Sequence, residues 1–249
     1  LKLYLFIYTA LDFLTQGNFM YHICLLLALS LCFSKACPEI LPEIFKDRLV
    51  LSHLVHEIRD PSTDKKHFRK ALEKIGEYLS LEVLQDLNTK HVEIETLMRS
   101  KAVHALCDED PVLITILRGG VPMMIGMQKV FPNAQAGFLG MARNEETLKA
   151  DVSYIGIPNV QGKCVIIADT MLATGGSMID AIKIIEKHHP KQIILICAIA
   201  AKKGIERILD HNPSIKIFAA ATDPTLNEKG YIVPGLGDAG DRCYGMKLE

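Results

Sequence analysis

The residues best suited to chemistry lie in one stretch, residues 165–185, which reads VIIADTMLATGGSMIDAIKII. An apolar, β-branched run ends in a carboxylate, Asp169. Small and hydroxyl residues follow: Thr170, Ala173, Thr174, Gly175, Gly176 and Ser177. Met178, Ile179, Ala181, Ile182, Ile184 and Ile185 then recur at helical spacing. The pattern predicts a buried strand, a tight turn and an amphipathic helix. Such a turn presents unpaired backbone N–H groups at a helix N-terminus, where the dipole also favours an anion. Glycines let the backbone approach closely, and Thr174 and Ser177 add hydroxyl donors. One reading is a phosphate cradle, with Asp169 placed at the strand's carboxyl end to meet two vicinal sugar hydroxyls. The other is an ordinary βα turn with a serine N-cap.

Two further groups are suited to anions. Residues 112–117 predict a buried strand, and Arg118-Gly119-Gly120 stands at its carboxyl end. An arginine there can grip a diphosphate with two parallel hydrogen bonds, and the glycines free backbone N–H groups for the same anion. A plain turn with a surface arginine fits the pattern equally well. Residues 134–141 predict the next strand, followed by Ala142-Arg143-Asn144-Glu145-Glu146, which on charge alone reads as a solvated loop.

Around these, apolar strand runs at 192–200 and 215–221 alternate with helical patterns at 121–130 and 202–209. Continuous apolar strands alternating with helices mean a parallel sheet covered on both faces. Upstream, 64–87 predicts a long helix broken near Ser80, and 89–98 alternates like an edge strand. The tail contains Gly235-Leu236-Gly237-Asp238-Ala239-Gly240, a formal GxGxxG. It is no dinucleotide site, because Pro234 precedes it and neither a strand nor a useful helix frames it. No Walker loop is present. His53 and His56 lack an evident third partner for a metal.

Composition sets bounds. Hydrophobic residues make up 49%, and 28 basic residues nearly balance 29 acidic ones for a net charge of −1. That balance argues against a nucleic-acid surface. The seven cysteines form no CxxC pair and no zinc spacing, and Cys164 and Cys197 fall at strand positions that suit inert core thiols. A reducing, intracellular setting follows.

The string DTMLATGGS resembles the loop for 5-phospho-α-D-ribose 1-diphosphate (PRPP) in type I phosphoribosyltransferases, and its wording is most similar to the uracil phosphoribosyltransferase family. GMARNEETL resembles that family's mobile loop, and GYI-x-PGLGDAGD its uracil-binding signature. With the Arg118 loop these make four motifs in order, over residues from about 40 to the end. The resemblance implies an α/β fold: a parallel sheet flanked by helices, with an N-terminal helical and strand arm and a C-terminal base-binding hood. It implies one phosphoribosyltransferase domain over 38–249. It assigns PRPP to Asp169, Thr170, Met171, Leu172, Ala173, Thr174, Gly175, Gly176 and Ser177. Arg118 and Arg143 would hold the diphosphate and Asp238 would face PRPP, the catalytic set being these three with Asp169. Backbone near Ile232, Gly237 and Ala239, with Asp238, would read uracil. Mg²⁺ would arrive mainly on the diphosphate, without a protein metal site.

The resemblance further implies a cytoplasmic homodimer or homotetramer, with GTP an activator in some members. Two departures stand out: Thr170 where proline is usual, and Ala142 where tyrosine usually precedes the arginine. Transfer to another base, and a regulator that binds RNA or has lost activity, are the competing readings. The hydrophobic residues 1–37 fall outside the resemblance. They fit translated sequence upstream of the true start, a targeting segment, or an extension packed on the domain. The first and third agree better with substrates made in the cytosol.

Overall fold

The computed structural model describes residues 49–143 and 150–247, with side chains described for 49–141 and 151–247. The expected extension over 1–37 lies outside the described residues, as do Asn144 and the residues up to 149. The elements in chain order are α1 (Leu49–Arg59), α2 (Lys65–Gln85), β1 (Thr89–Glu95), β2 (Lys101–Cys107), β3 (Val112–Leu117) and α3 (Val121–Val130). Next come β4 (Ala136–Arg143), β5 (Ala150–Gly156), β6 (Cys164–Leu172), α4 (Gly176–Glu186), β7 (Gln192–Ala201) and α5 (Lys202–His211). The chain continues through β8 (Lys216–Asp223), β9 (Thr225–Leu226), β10 (Ile232–Val233) and α6 (Ala239–Tyr244).

A six-stranded sheet in the order β5-β4-β3-β6-β7-β8 forms the centre. β4, β3, β6, β7 and β8 are parallel, and β5 closes one edge antiparallel to β4. Both faces are covered, so the strands are apolar throughout rather than alternating. Ile166, Ile194 and Phe218 point into a core made with α1, α2 and α3, while Val165, Ile167 and Leu195 meet Met178, Ile182 and Ile208 of α4 and α5. The chain runs from β3 outward to β4 and β5, then returns to place β6 on the other side of β3. That reversal opens a crevice at the carboxyl ends of β3 and β6, where open α/β sheets bind ligands.

Three expectations are corrected. α2 runs unbroken through Ser80, because the buried Oγ donates 2.8 Å back to Gly76 O and satisfies itself within the helix. The strand expected over 89–98 covers only Thr89–Glu95, and it pairs only with β2, from Thr89↔Cys107 to Glu95↔Lys101, forming a separate hairpin instead of a sheet edge. β5 carries no strong apolar pattern and was not expected. It pairs with β4 as far as Arg143↔Ala150, so Arg143 ends a strand instead of opening a loop.

The Asp64 carboxylate caps α2, accepting from His67 N at 2.9 Å. α2 and α3 cross in backbone contact. A Cβ on Gly126 would stand 1.9 Å from Glu73 O, and one on Gly76 would stand 2.3 Å from Met123 O. Gly126→Ala must therefore push the helices apart. A loss of about 3 kcal/mol in urea unfolding is expected, and an unchanged midpoint would show that this crossing does not need its glycine.

Candidate active site

The cradle forms where β6 hands over to α4. Gly175 is the N-cap at φ +77°, a left-handed conformation that favours glycine, and no side chain caps the helix. Ser177 lies within the first turn, so the serine-capped alternative is not the structure adopted. Thr174 Oγ1 accepts from Gly176 N at 3.4 Å. An uncapped helix start with its orphan amides toward a cleft is suited to an anion. α5 supports the turn from behind: a Cβ on Gly204 would stand 2.5 Å from Ala173 O, and Arg207 donates to Thr174 O at 3.1 Å. Neither residue drew attention in the sequence, since support of this kind has no local pattern.

Asp169 lies within β6, not after it, because the strand continues to Leu172. Its carboxylate accepts from Thr170 N at 2.7 Å. Burial pushes its pKa up to about 7, against the downward pull of the Thr170 and Met171 amides. Part of its surface remains open to the cleft. Cys197, beside it on β7, is a buried thiol pushed well up by burial, and Cys164 is raised to about 11. Both fit inert thiols.

The Arg118 loop follows β3, with a cis Leu117–Arg118 peptide. Arg118 Nη2 pairs with Asp241 of α6 at 2.7 Å. A Cβ on Gly119 would meet Ala239 Cβ and Thr170 Oγ1 at 3.3 Å, so this loop sits between β6 and the tail. The tail itself is docked by charge. Arg59 makes a fork to Asp223, at 2.9 and 2.6 Å, and also donates to Gly235 O at 2.8 Å. Gly235 N completes the knot with a 2.9 Å bond to Asp223. Arg242 stacks on Phe68 with its guanidinium carbon 4.1 Å from the ring centre, and donates to carbonyls of Ile58, Asp60 and Leu236. α6 is short but real, with Asp238 as its N-cap accepting from Asp241 N at 2.8 Å.

A cleft of about 700 Å³ joins the two halves. Asp169, Met171, Leu172, Ala173, Thr174, Gly175, Gly176 and Ser177 line one side, and Ile232 and Asp238 line the other. Thr170, Arg118, Gly237 and Ala239 are not among the residues that line it. Gly237 is at φ +84°, and Ala239 is buried. The side chains of Ala142 and Arg143 lie outside the described residues. Gly230 and Tyr231, which open the tail signature, also line the cleft, as do Glu228, Lys229 and Lys247, which were not singled out from sequence. Their signal was adjacency to the tail signature. Among the described residues no three His, Cys, Asp or Glu side chains group to hold a metal, and no helix is long and apolar enough to cross a membrane.

A sequence model of the family described as uracil phosphoribosyltransferase matches residues 45–246. A uracil phosphoribosyltransferase of Clostridium botulinum is 42% identical over 80% of this chain and 95% of its own length. One from Aquifex aeolicus is 40% identical over 80% and 96%. The solved structure of the AQ2163 protein from Aquifex aeolicus superimposes with a TM-score of 0.76 at 38% identity, covering 81% of this chain and 97% of that one. The chain belongs to the uracil phosphoribosyltransferase family.

Proposed function

We propose that this chain transfers the phosphoribosyl group of PRPP to N1 of uracil, giving UMP and diphosphate, in pyrimidine salvage. The observation that carries the reading is a cleft lined both by an uncapped helix start and by a docked glycine-rich tail. The N1–C1′ bond forms as the C1′–diphosphate bond breaks, and the N1 proton leaves to solvent. Catalysis is largely positioning. Amides of Gly175, Gly176 and Ser177, with the Thr174 hydroxyl, hold the 5′-phosphate. Asp169 accepts from the ribose diol, and Arg118 and Arg143 meet the leaving diphosphate. Tail backbone near Ile232, Gly237 and Ala239 reads the uracil edge, with Asp238 between base and PRPP. A donor placed at uracil O4 rejects the 4-amino group of cytosine.

Asp169 and Asp238 both line the cleft, and carboxylates suit a metal that arrives on the substrate. Mg²⁺ on the diphosphate would meet Asp169 and Asp238 and offset leaving-group charge. The hairpin of β1 and β2 exposes Ile94, Leu97, Met98, Val103 and Leu106, which supports a homo-oligomer, measurable by light scattering. Substrates made in the cytosol support a cytoplasmic protein.

Purified protein given PRPP, Mg²⁺ and radiolabelled uracil should form UMP, with no product from cytosine, orotate or hypoxanthine. Product from another base, or none from any, contradicts the proposal. The same assay with GTP tests activation. Asp169→Asn should lower turnover about a hundredfold, the loss of charge-assisted hydrogen bonds to the diol. Wild-type kinetics would remove Asp169 from the reaction.

The raised pKa of Asp169 makes a second measurement. The folded chain binds this proton more tightly than the unfolded one, so the group's contribution to stability falls as pH rises from about 4 to about 7. Ligand-free Asp169→Asn should therefore gain on wild type by about 2 kcal/mol between pH 4 and pH 8, allowing for the partial exposure of the carboxyl. A pH-independent difference would show that Asp169 ionises normally.

A further inference from the structure

Thr170 stands where the resemblance leads one to expect proline, and it does two things that proline cannot. Its N–H donates to the Asp169 carboxylate at 2.7 Å, and its hydroxyl donates to Gly119 O at 2.7 Å. Its side chain is only 1% exposed, and it is not among the residues that line the cleft, so it reaches no ligand directly. The second bond spans the crevice between β6 and β3, joining the strand that carries the cradle to the loop that carries Arg118. From the far side, Asp241 holds the same arginine by one nitrogen, while Arg118 Nε is buried with no acceptor.

We propose that Thr170 is a positioning residue: its buried hydroxyl fixes the Arg118-Gly119 backbone, setting the diphosphate grip at a constant distance from the ribose and phosphate cradle. The inference rests on the reading that Arg118 meets diphosphate. Two features favour a positioning role over mere packing. The bond ends on a main-chain carbonyl of the anion loop itself. Beyond the loop's own turn hydrogen bonds, Gly120 N to Ile116 O and Val121 N to Arg118 O, the other tie is the partly exposed Arg118–Asp241 ion pair, whose strength in water is small. Without the hydroxyl, Gly119 O is left inside without its partner, and the loop must move to find another.

The test separates the two ends of PRPP. Magnesium diphosphate and ribose 5-phosphate are titrated calorimetrically into the wild type, Thr170→Val and Thr170→Ser. Thr170→Val should weaken magnesium diphosphate about tenfold and raise the KM for PRPP by a similar factor. Ribose 5-phosphate, which engages the cradle alone, should bind within about twofold of wild type. Thr170→Ser, which keeps the hydroxyl, should restore diphosphate binding. If the valine variant does not fold, Thr170→Ala takes its place with the same expectation. Unchanged diphosphate affinity, equal weakening of both ligands, or no rescue by serine overturns the inference while leaving the transfer reading intact. A wild type that binds neither ligand overturns that reading and the inference with it.

Discussion

Arg59 and Asp223 hold the two halves of the cleft together. Asp223 is 5% exposed at the carboxyl end of β8, and its carboxylate is completed by the Arg59 fork and by Gly235 N. A buried pair of this kind contributes little net stability compared with apolar residues of the same shape, yet breaking it costs about 3–5 kcal/mol, because a stranded charge remains inside. Its effect is geometric. The tail has only two-residue strands and one short helix, and it buries Ile232, Leu236, Ala239 and Cys243 in the core. Charge and hydrogen bonds fix its orientation on α1 and β8. Arg242 adds a second tie by meeting the C-terminal carbonyls of α1, where a cation is also favoured by the helix dipole.

The rest of the site follows from sheet topology. The reversal between β3 and β6 brings two loops, distant in sequence, to one crevice. Arg118 comes from β3, and the cradle comes from β6. The tail then approaches across their carboxyl ends, so that Asp241 reaches Arg118 and Ala239 packs on Gly119. Three chain segments thus share one small volume with few side chains between them. The glycines at 119, 175 and 237 mark where backbone must pass or turn.

Much of this was legible from residues alone. β-branched runs at 112–117, 165–168 and 192–200 name the buried strands, because a sheet covered on both faces needs no alternation. The cradle was legible because a glycine pair between strand and helix has few other uses. The strand continued past Asp169, however, since a carboxylate can sit inside a strand when its neighbours' amides meet it. β2 and β5 were missed because neither is buried enough to leave an apolar signature. Arg59, Asp223, Arg207 and Arg242 were missed for a different reason. Each acts across more than 30 residues of sequence, and a side chain's distant partner leaves no trace in its neighbourhood. Thr170 was visible only as a departure, and its meaning needed Gly119 beside it.

The most direct test of a base-reading half held in place by charge is the kinetics of Arg59→Lys. Lysine keeps the positive charge but loses the fork that clasps Asp223 and Gly235 together. The KM for uracil should rise about tenfold or more while PRPP binding, measured directly, stays within about twofold. A variant whose uracil KM is unchanged, or whose PRPP affinity falls as far as its uracil affinity, would contradict the division of the cleft into a phosphate-holding half and a docked half that reads the base.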